Sequence, residues 1–152
     1  MILEPSGTKS SVWEVHGKAY PSGKPDLAGK LFRDEDTGEF LVRANIGAID
    51  SLKANGFTDH EINRLVVSKR SLERRQQRKE TLSPAESDRA MRLSRIHDHA
   101  VRVFGSDEKA HRWLRKPCRA LDEAVPLDLL ASETGAHIVE SELHAIDHGM
   151  FA

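Results

Sequence analysis

The sequence of 152 residues contains one cysteine, Cys118, and no long uninterrupted run of apolar residues. A single cysteine excludes an internal disulfide and a thiolate metal site, and it fits a reducing compartment. Residues 1–5 lack the basic cluster and apolar stretch of a secretory signal, and no window reaches the apolar length that spans a bilayer. We therefore expect a cytoplasmic protein without a membrane partner.

Sequence signatures of common enzyme classes are also missing. The chain contains no Gly-rich phosphate loop and no Gly-x-Ser-x-Gly elbow, and its carboxylates are scattered rather than paired in an apolar setting. Cys118 and His111 could be considered as a catalytic nucleophile and its base, but the sequence indicates no orienting third group and no oxyanion site. We expect no catalysis and no cofactor.

Charge is unevenly distributed along the chain, although the net charge is −1. Residues 64–79 hold seven Lys or Arg against one acid, whereas residues 117–152 hold seven acids against one Arg. The two segments therefore carry local charges of +6 and −6. We interpret them as two binding surfaces of opposite sign, one for a polyanion such as DNA and one for a different, basic partner.

The hydrophobic pattern predicts an all-α fold from about residue 45 onward. Residues 1–44 are polar and rich in Ser, Gly, Pro and Lys, which indicates a partly flexible N-terminal arm. After this arm, apolar residues recur at three- and four-residue spacing, and no strand pattern follows. We expect a helix-turn-helix region over residues 45–82 and a small helical domain over residues 83–152.

A basic helix is predicted to follow directly on a shorter helix. Thr58 and Glu61 form a capping box that begins the first helix, and Ser68 can cap the second. Ser83 and Glu86 form another capping box, which predicts the start of a long helix at Pro84. Two short helices with a tight turn are typical of a helix-turn-helix. With Leu72 inward, the outer face carries side chains suited to bases and phosphates, although a merely solvated basic helix is the simpler interpretation. The predicted DNA-binding residues are Lys69, Arg70, Ser71, Arg74, Arg75, Gln77 and Arg78.

The last predicted helix runs from about Gly135 to His148. Its apolar stripe is Val139, Leu143 and Ile146, and its reverse face carries three histidines. Histidines one turn apart could bind zinc, but no closed set of four ligands is evident. A polar contact surface is the better interpretation of that face, whose histidines are His137, His144 and His148.

Two groups of motifs resemble one protein family. The run from Ser68 to Arg75, followed by Leu82 to Arg89, resembles the DNA-binding half of the Xre/MbcA/ParS antitoxin family. The distal motifs are similar to the toxin-binding domain of that family: Val103-Phe104-Gly105, Trp113-Leu114, Pro126 to Leu130, Glu133-Thr134-Gly135 and His148 to Ala152. The resemblance covers about residues 45–152, and the chain departs from it in its longer polar arm and in the turn at Val66-Val67, which has no Gly.

This resemblance implies an Xre/Cro-like helix-turn-helix and an antitoxin of a type II toxin–antitoxin pair. The implied partner is a cognate toxin with a RES domain, similar to ADP-ribosyltransferases and acting on NAD. It further implies a homodimer, a larger hetero-oligomer with the toxin, a blocked toxin active site and repression of the shared operon at operator DNA. The toxin-binding residues that we expect are Glu140, His144, Asp147, His148, Gly149, Met150, Phe151 and Ala152.

Two other functions stay open from the sequence. One is a stand-alone helix-turn-helix transcription regulator whose C-terminal half dimerises or binds a small ligand. The other is a metal sensor that uses the three C-terminal histidines. A neighbouring gene for a RES-type toxin would favour the antitoxin, and metal analysis of the purified protein would decide the sensor.

Overall fold

The computed structural model describes residues 29–33 and 36–149. Within these residues two strands precede seven α-helices. The strands are β1 (Gly29–Arg33) and β2 (Phe40–Ala44). The helices are α1 (Gly47–Ala54), α2 (Asp59–Leu65), α3 (Lys69–Arg78), α4 (Pro84–Phe104), α5 (Asp107–Leu114), α6 (Pro126–Leu129) and α7 (Glu133–Gly149). The all-α fold class predicted for the chain after residue 45 is confirmed.

A short β-hairpin in the described part of the N-terminal arm was not anticipated from the sequence. β1 and β2 pair in antiparallel fashion, with Gly29 opposite Ala44. The amide of Ala44 donates to Oγ of Ser87 at 2.7 Å, and its carbonyl accepts from the amide of Leu82 at 3.0 Å. These two bonds fix the end of β2 to the first turn of α4.

The helices begin where the capping motifs predicted. Oγ1 of Thr58 accepts from the amide of Glu61 at 3.1 Å, and the Glu61 carboxylate accepts from the amide of Thr58 at 2.9 Å. The same reciprocal pair, at 3.1 and 2.8 Å, joins Ser83 and Glu86 at the start of α4. Each such cap contributes about 1 kcal/mol, because it satisfies amides that have no partner within the helix.

One apolar core joins the two regions predicted on either side of residue 82. The long helix α4 is its centre and packs against β2, α1, α5 and α7. Since the core crosses the predicted boundary, the position of α3 relative to α7 is set by shared packing. Its largest fully buried side chains include Ile49 and Leu52 of α1, Ile62 and Leu65 of α2, Leu93 and Ile96 of α4, Leu114 of α5, and Val139 and Leu143 of α7.

α6 and α7 approach each other closely at Gly135. A Cβ atom built there would overlap the carbonyl oxygen of Leu129, so only glycine fits without moving the backbone. The amide of Gly135 donates to Oγ of Ser132 at 3.0 Å, and α7 begins at Glu133, two residues before the predicted start. Of the helices described here, none is long and apolar enough to cross a membrane.

Candidate functional site

Five of the seven predicted DNA-binding side chains lie exposed on α3, four of them away from the buried Leu72 and Lys69 at the flank. We call Lys69, Arg70, Arg74, Gln77 and Arg78 the basic face. Leu72 is buried on the opposite side of the helix, as predicted. Within residues 29–33 and 36–149, no member of the basic face forms a side-chain hydrogen bond or ion pair with another residue. The face is therefore available to a ligand.

Arg75 departs from the prediction that it contacts phosphates. Its side chain is 15% exposed, and its Nε lies 2.7 Å from Oε1 of Glu86. Nη1 lies 3.4 Å from both Oε1 of Glu80 and the carbonyl oxygen of Thr81. Arg75 follows Leu72 by three residues and so shares its side of the helix. We therefore assign it to holding α3 against the start of α4.

Ser71 is the second predicted DNA-binding residue whose side chain is not fully exposed. It is half-buried, and its backbone amide donates to the Oγ of Ser68 at 3.2 Å, which caps α3. The backbone amide of Ser71 thus contributes to the N-terminal cap of α3.

The turn between α2 and α3 needs no glycine in this chain. Val66, which ends α2, has a φ of −119°, a value open to any residue, and both Val66 and Val67 are buried. Nε of Arg89, on α4, donates to the carbonyl oxygen of Val66 at 2.8 Å. The missing Gly noted in the sequence is thus compensated by apolar packing and by a side-chain donor from α4.

Arg115 connects the helix pair α2–α3 to the C-terminal part of the chain, and sequence reasoning did not find it. Its guanidinium donates twice to Glu61, at 2.8 and 2.9 Å, and once to the carbonyl oxygen of Gly56, at 2.8 Å. Burial alone would raise the pKa of Glu61, but the bonds from Arg115 and from the Thr58 amide bring it below its ordinary value. Glu61 is therefore ionised, and it serves both as a cap and as a salt-bridge partner.

Three buried rings pack together close to Gly56, the residue whose carbonyl Arg115 contacts. The rings of Phe57 and His111 meet edge to face with centroids 5.0 Å apart, and His97 lies 4.9 Å from His111. The carbonyl oxygen of Asn55 accepts a hydrogen bond from Nε2 of His111 at 2.7 Å. Burial lowers the pKa of His111, and the nearby Arg115 lowers it further, so the ring is neutral near pH 7.

Two acids of the C-terminal segment, Glu133 and Glu140, each form ion pairs with arginines of α4. Nη2 of Arg95 lies 3.2 Å from Oε1 of Glu140 and 3.2 Å from Oε2 of Glu133, and Nε of Arg92 donates to Glu133 at 3.1 Å. Glu140 is only 25% exposed on its side chain. It was predicted to contact a partner, and in the structure its carboxylate joins α7 to α4 through Arg95.

Other predicted contact residues of α7 are exposed. His144, Asp147 and His148 lie on the surface, and the rings of His144 and His148 stack with centroids 6.2 Å apart. The ring of His144 also lies 4.6 Å from that of His99 on α4, a partner that the sequence did not suggest. Burial lowers the pKa of His99, and the neighbouring Arg102 and His144 lower it further.

The histidines of α7 do not form the trio that a zinc site would use. His144 and His148 adjoin His99 in a row of three imidazoles, whereas His137 is exposed elsewhere on the helix. In the part of the chain that the structure describes, no group of three His, Cys, Asp or Glu side chains is placed to hold a metal ion. Gly149 ends α7 and is exposed, and the predicted contacts Met150, Phe151 and Ala152 lie outside the described residues.

Comparison with known proteins finds a family match for the segment that contains His99, His144 and His148. Residues 99–149 match the family model of the antitoxin Xre/MbcA/ParS C-terminal toxin-binding domain. The C-terminal third of this chain is thus similar to the toxin-binding domain of that antitoxin family. The matched residues comprise the end of α4 and all of α5, α6 and α7, so the exposed surface of α7 lies inside the family domain and α3 lies outside it.

Three curated proteins named antitoxin Xre are similar to this chain. The protein of Yersinia enterocolitica is 38% identical over 87 residues, which is 57% of this chain and 59% of that protein. The protein of Photorhabdus laumondii is 38% identical over 82 residues, 53% and 55% of the two chains. The protein of Pseudomonas putida is 36% identical over 84 residues, 55% and 53%. The chain thus spans a little over half the length of these relatives.

Proposed function

We propose that this chain is the antitoxin of a type II toxin–antitoxin pair. The observation that carries the proposal is the family match of residues 99–149, a segment whose family is described as toxin-binding. In this proposal the surface of α7 and the residues that follow it bind the toxin, and α3 binds the operator of the shared operon. The chain then acts by binding and not by catalysis.

The exposed end of α7 supports the toxin contact. His144, Asp147, His148 and Gly149 are exposed, and in the sequence the apolar residues Met150 and Phe151 follow them directly. We infer that the toxin is a RES-domain protein that consumes NAD. A pocket for the NAD pyrophosphate needs cations or amide donors, to which the acidic C-terminal segment is complementary.

The basic face supports the DNA contact. Its four cations and Gln77 are exposed without partners among the described residues, while Arg75 and Arg89 fix the helix pair from behind. A recognition helix held in this way can lie in the major groove, where Arg suits guanine and Gln suits adenine. Homodimers are expected to bind two half-sites on one face of the duplex.

The toxin contact is tested by neutralisation. Cells that express the toxin gene adjacent to this one should lose NAD and stop growing, and the full-length antitoxin should restore both. Deleting residues 149–152 should weaken the rescue, because it removes the apolar tail but leaves the core stripe of Val139 and Leu143 in place. A variant with Arg70 and Arg74 both replaced by Ala is the matched control, and it should rescue fully.

The outcomes separate the parts of this proposal. If the truncated protein rescues as well as the full chain, the tail is not the inhibitory element. If the full chain fails to rescue but still binds its promoter, the chain is instead a stand-alone helix-turn-helix regulator.

A further inference from the structure

α3 contains one acid, Glu73, at the edge of the basic face next to Lys69. It follows Lys69 and Arg70 by four and three residues and precedes Gln77 by four, so it lies on the same side of the helix as they do. Like the basic face, the Glu73 side chain is exposed. Any ligand that covers Arg70 and Gln77 therefore also meets this carboxylate.

Within the described part of the chain Glu73 has no ion-pair partner, although Lys69 and Arg70 precede it by four and three residues. An acid three or four residues from a Lys or Arg on a helix commonly forms an ion pair. Yet among the residues described, no cation lies within salt-bridge distance of Glu73, and the side chain makes no hydrogen bond. By contrast, the neighbouring acids Glu80 and Glu86 both pair with Arg75. Among the described residues, the Glu73 carboxylate is thus not used to hold α3 against α4, as Arg75 is.

An unpaired carboxylate weakens binding to a polyanion unless the ligand offers it a donor. Phosphates repel it, so its charge costs affinity wherever it lies near the DNA backbone. The edges of bases in the major groove do present donors, and the N4 amino group of cytosine is the one that a Glu side chain suits. The cost of the charge is then offset only at sequences that place this amino group opposite it.

We propose that Glu73 is a specificity-determining residue, whose carboxylate accepts a hydrogen bond from a cytosine amino group in the major groove. This inference rests on the proposed DNA binding by α3. The general affinity for DNA comes from the cations of the basic face, whereas Glu73 selects among sequences. Replacing it should therefore lower the discrimination between sequences without lowering affinity for DNA in general.

The size of the effect follows from the energy of a base contact. A good side-chain contact to a base edge provides roughly 5- to 150-fold discrimination against the wrong base, from about 1–3 kcal/mol. Glu73→Ala should lose this factor at one cytosine of the preferred site. Its affinity for unrelated duplex should stay equal or rise, because one negative charge has been removed. Glu73→Gln should shift the preferred base toward adenine, which pairs with an amide.

The experiment is selection from a random DNA duplex pool by the full-length protein, followed by titration of the selected site at one fixed salt concentration. Wild type, Glu73→Ala and Glu73→Gln are compared with Glu108→Gln, which makes the same chemical change on α5, away from α3. The circular dichroism spectrum of each variant checks that the helices are intact. A cytosine that is required by wild type and by Glu108→Gln, but not by Glu73→Ala, supports the inference.

Two results would overturn it. If Glu73→Ala selects the same base as wild type at every position, DNA binding by α3 stands and the role of Glu73 is refuted. If wild type retains no duplex even at low salt, the proposed DNA-binding function fails, and the role of Glu73 fails with it.

Discussion

Replacing Arg115 by Ala should destabilise the protein far more than a change to a similar salt bridge one turn away. Arg115 is 38% exposed and its partner Glu61 is 11% exposed. The change removes two charge-assisted hydrogen bonds to Glu61 and one bond to the Gly56 carbonyl. It leaves the Glu61 carboxylate largely buried, with the Thr58 amide as its remaining hydrogen-bond donor in the described structure.

The magnitude follows from these contacts. Removing one partner of a buried ion pair costs about 3–5 kcal/mol, and a surface pair contributes about 0–1 kcal/mol. Because water can reach part of the Arg115 site, we expect an intermediate loss of about 2 kcal/mol. For a chain of this size that loss lowers the melting temperature by roughly 4–8 °C.

Arg112→Ala is the matched control. Arg112 pairs with Glu108 at 2.8 Å, the same distance as in the Arg115 pair, but it is 54% exposed and its partner lies on the same helix. Such pairs contribute about 0.3–0.5 kcal/mol. Urea unfolding of both variants, with unchanged m values, measures the difference. If Arg115→Ala loses no more stability than Arg112→Ala, our account of how α2 is held to α5 is wrong.

Three further predictions follow from the same structure. The difference in stability between wild type and Arg115→Ala should shrink as pH falls through the pKa of Glu61 in the folded protein. That pKa lies below the ordinary value because Arg115 stabilises the ionised carboxylate, so protonation removes the interaction. Urea unfolding at several acidic pH values measures this difference. The pKa values of His99 and His111 are lowered in the folded protein, so these side chains take up protons on unfolding below the ordinary histidine value of 6.5. Stability should therefore fall as the pH drops below that value. His111→Gln should make this pH dependence weaker, in unfolding measured at neutral and mildly acidic pH. Gly135→Ala should destabilise the protein by about 1–3 kcal/mol, because the added Cβ would overlap the Leu129 carbonyl. In Gly149→Ala the added Cβ would meet no atom within 4 Å, so the thermal midpoint should be unchanged or slightly raised.

Features that depend on neighbouring residues could be predicted from the sequence. The capping boxes at Thr58 and Ser83 involve residues three apart, so they were visible as motifs and fixed the starts of α2 and α4. The outward position of Arg70 and Arg74 followed from helical periodicity alone. The same periodicity places Arg75 beside Leu72, a signal that the prediction of a phosphate contact overlooked.

Features that depend on distant residues could not be predicted in this way. Glu61 and Arg115 are 54 positions apart, and Arg95 and Glu140 are 45 apart, so no local pattern connects them. Glu140 was consequently predicted as a toxin contact without its ion pair to Arg95. The hairpin was also missed, although Phe40-Leu41-Val42 is a short apolar run of the kind found in strands.

The central claim is that this chain binds a toxin through its C-terminal family domain, and co-purification tests it most directly. The full-length chain should retain the product of the adjacent toxin gene on an affinity column in a stable complex. The variant lacking residues 149–152 should retain less of it, while the variant with Arg70 and Arg74 both replaced by Ala should retain as much as wild type. An adjacent gene product that passes through the column with full-length protein would contradict the account.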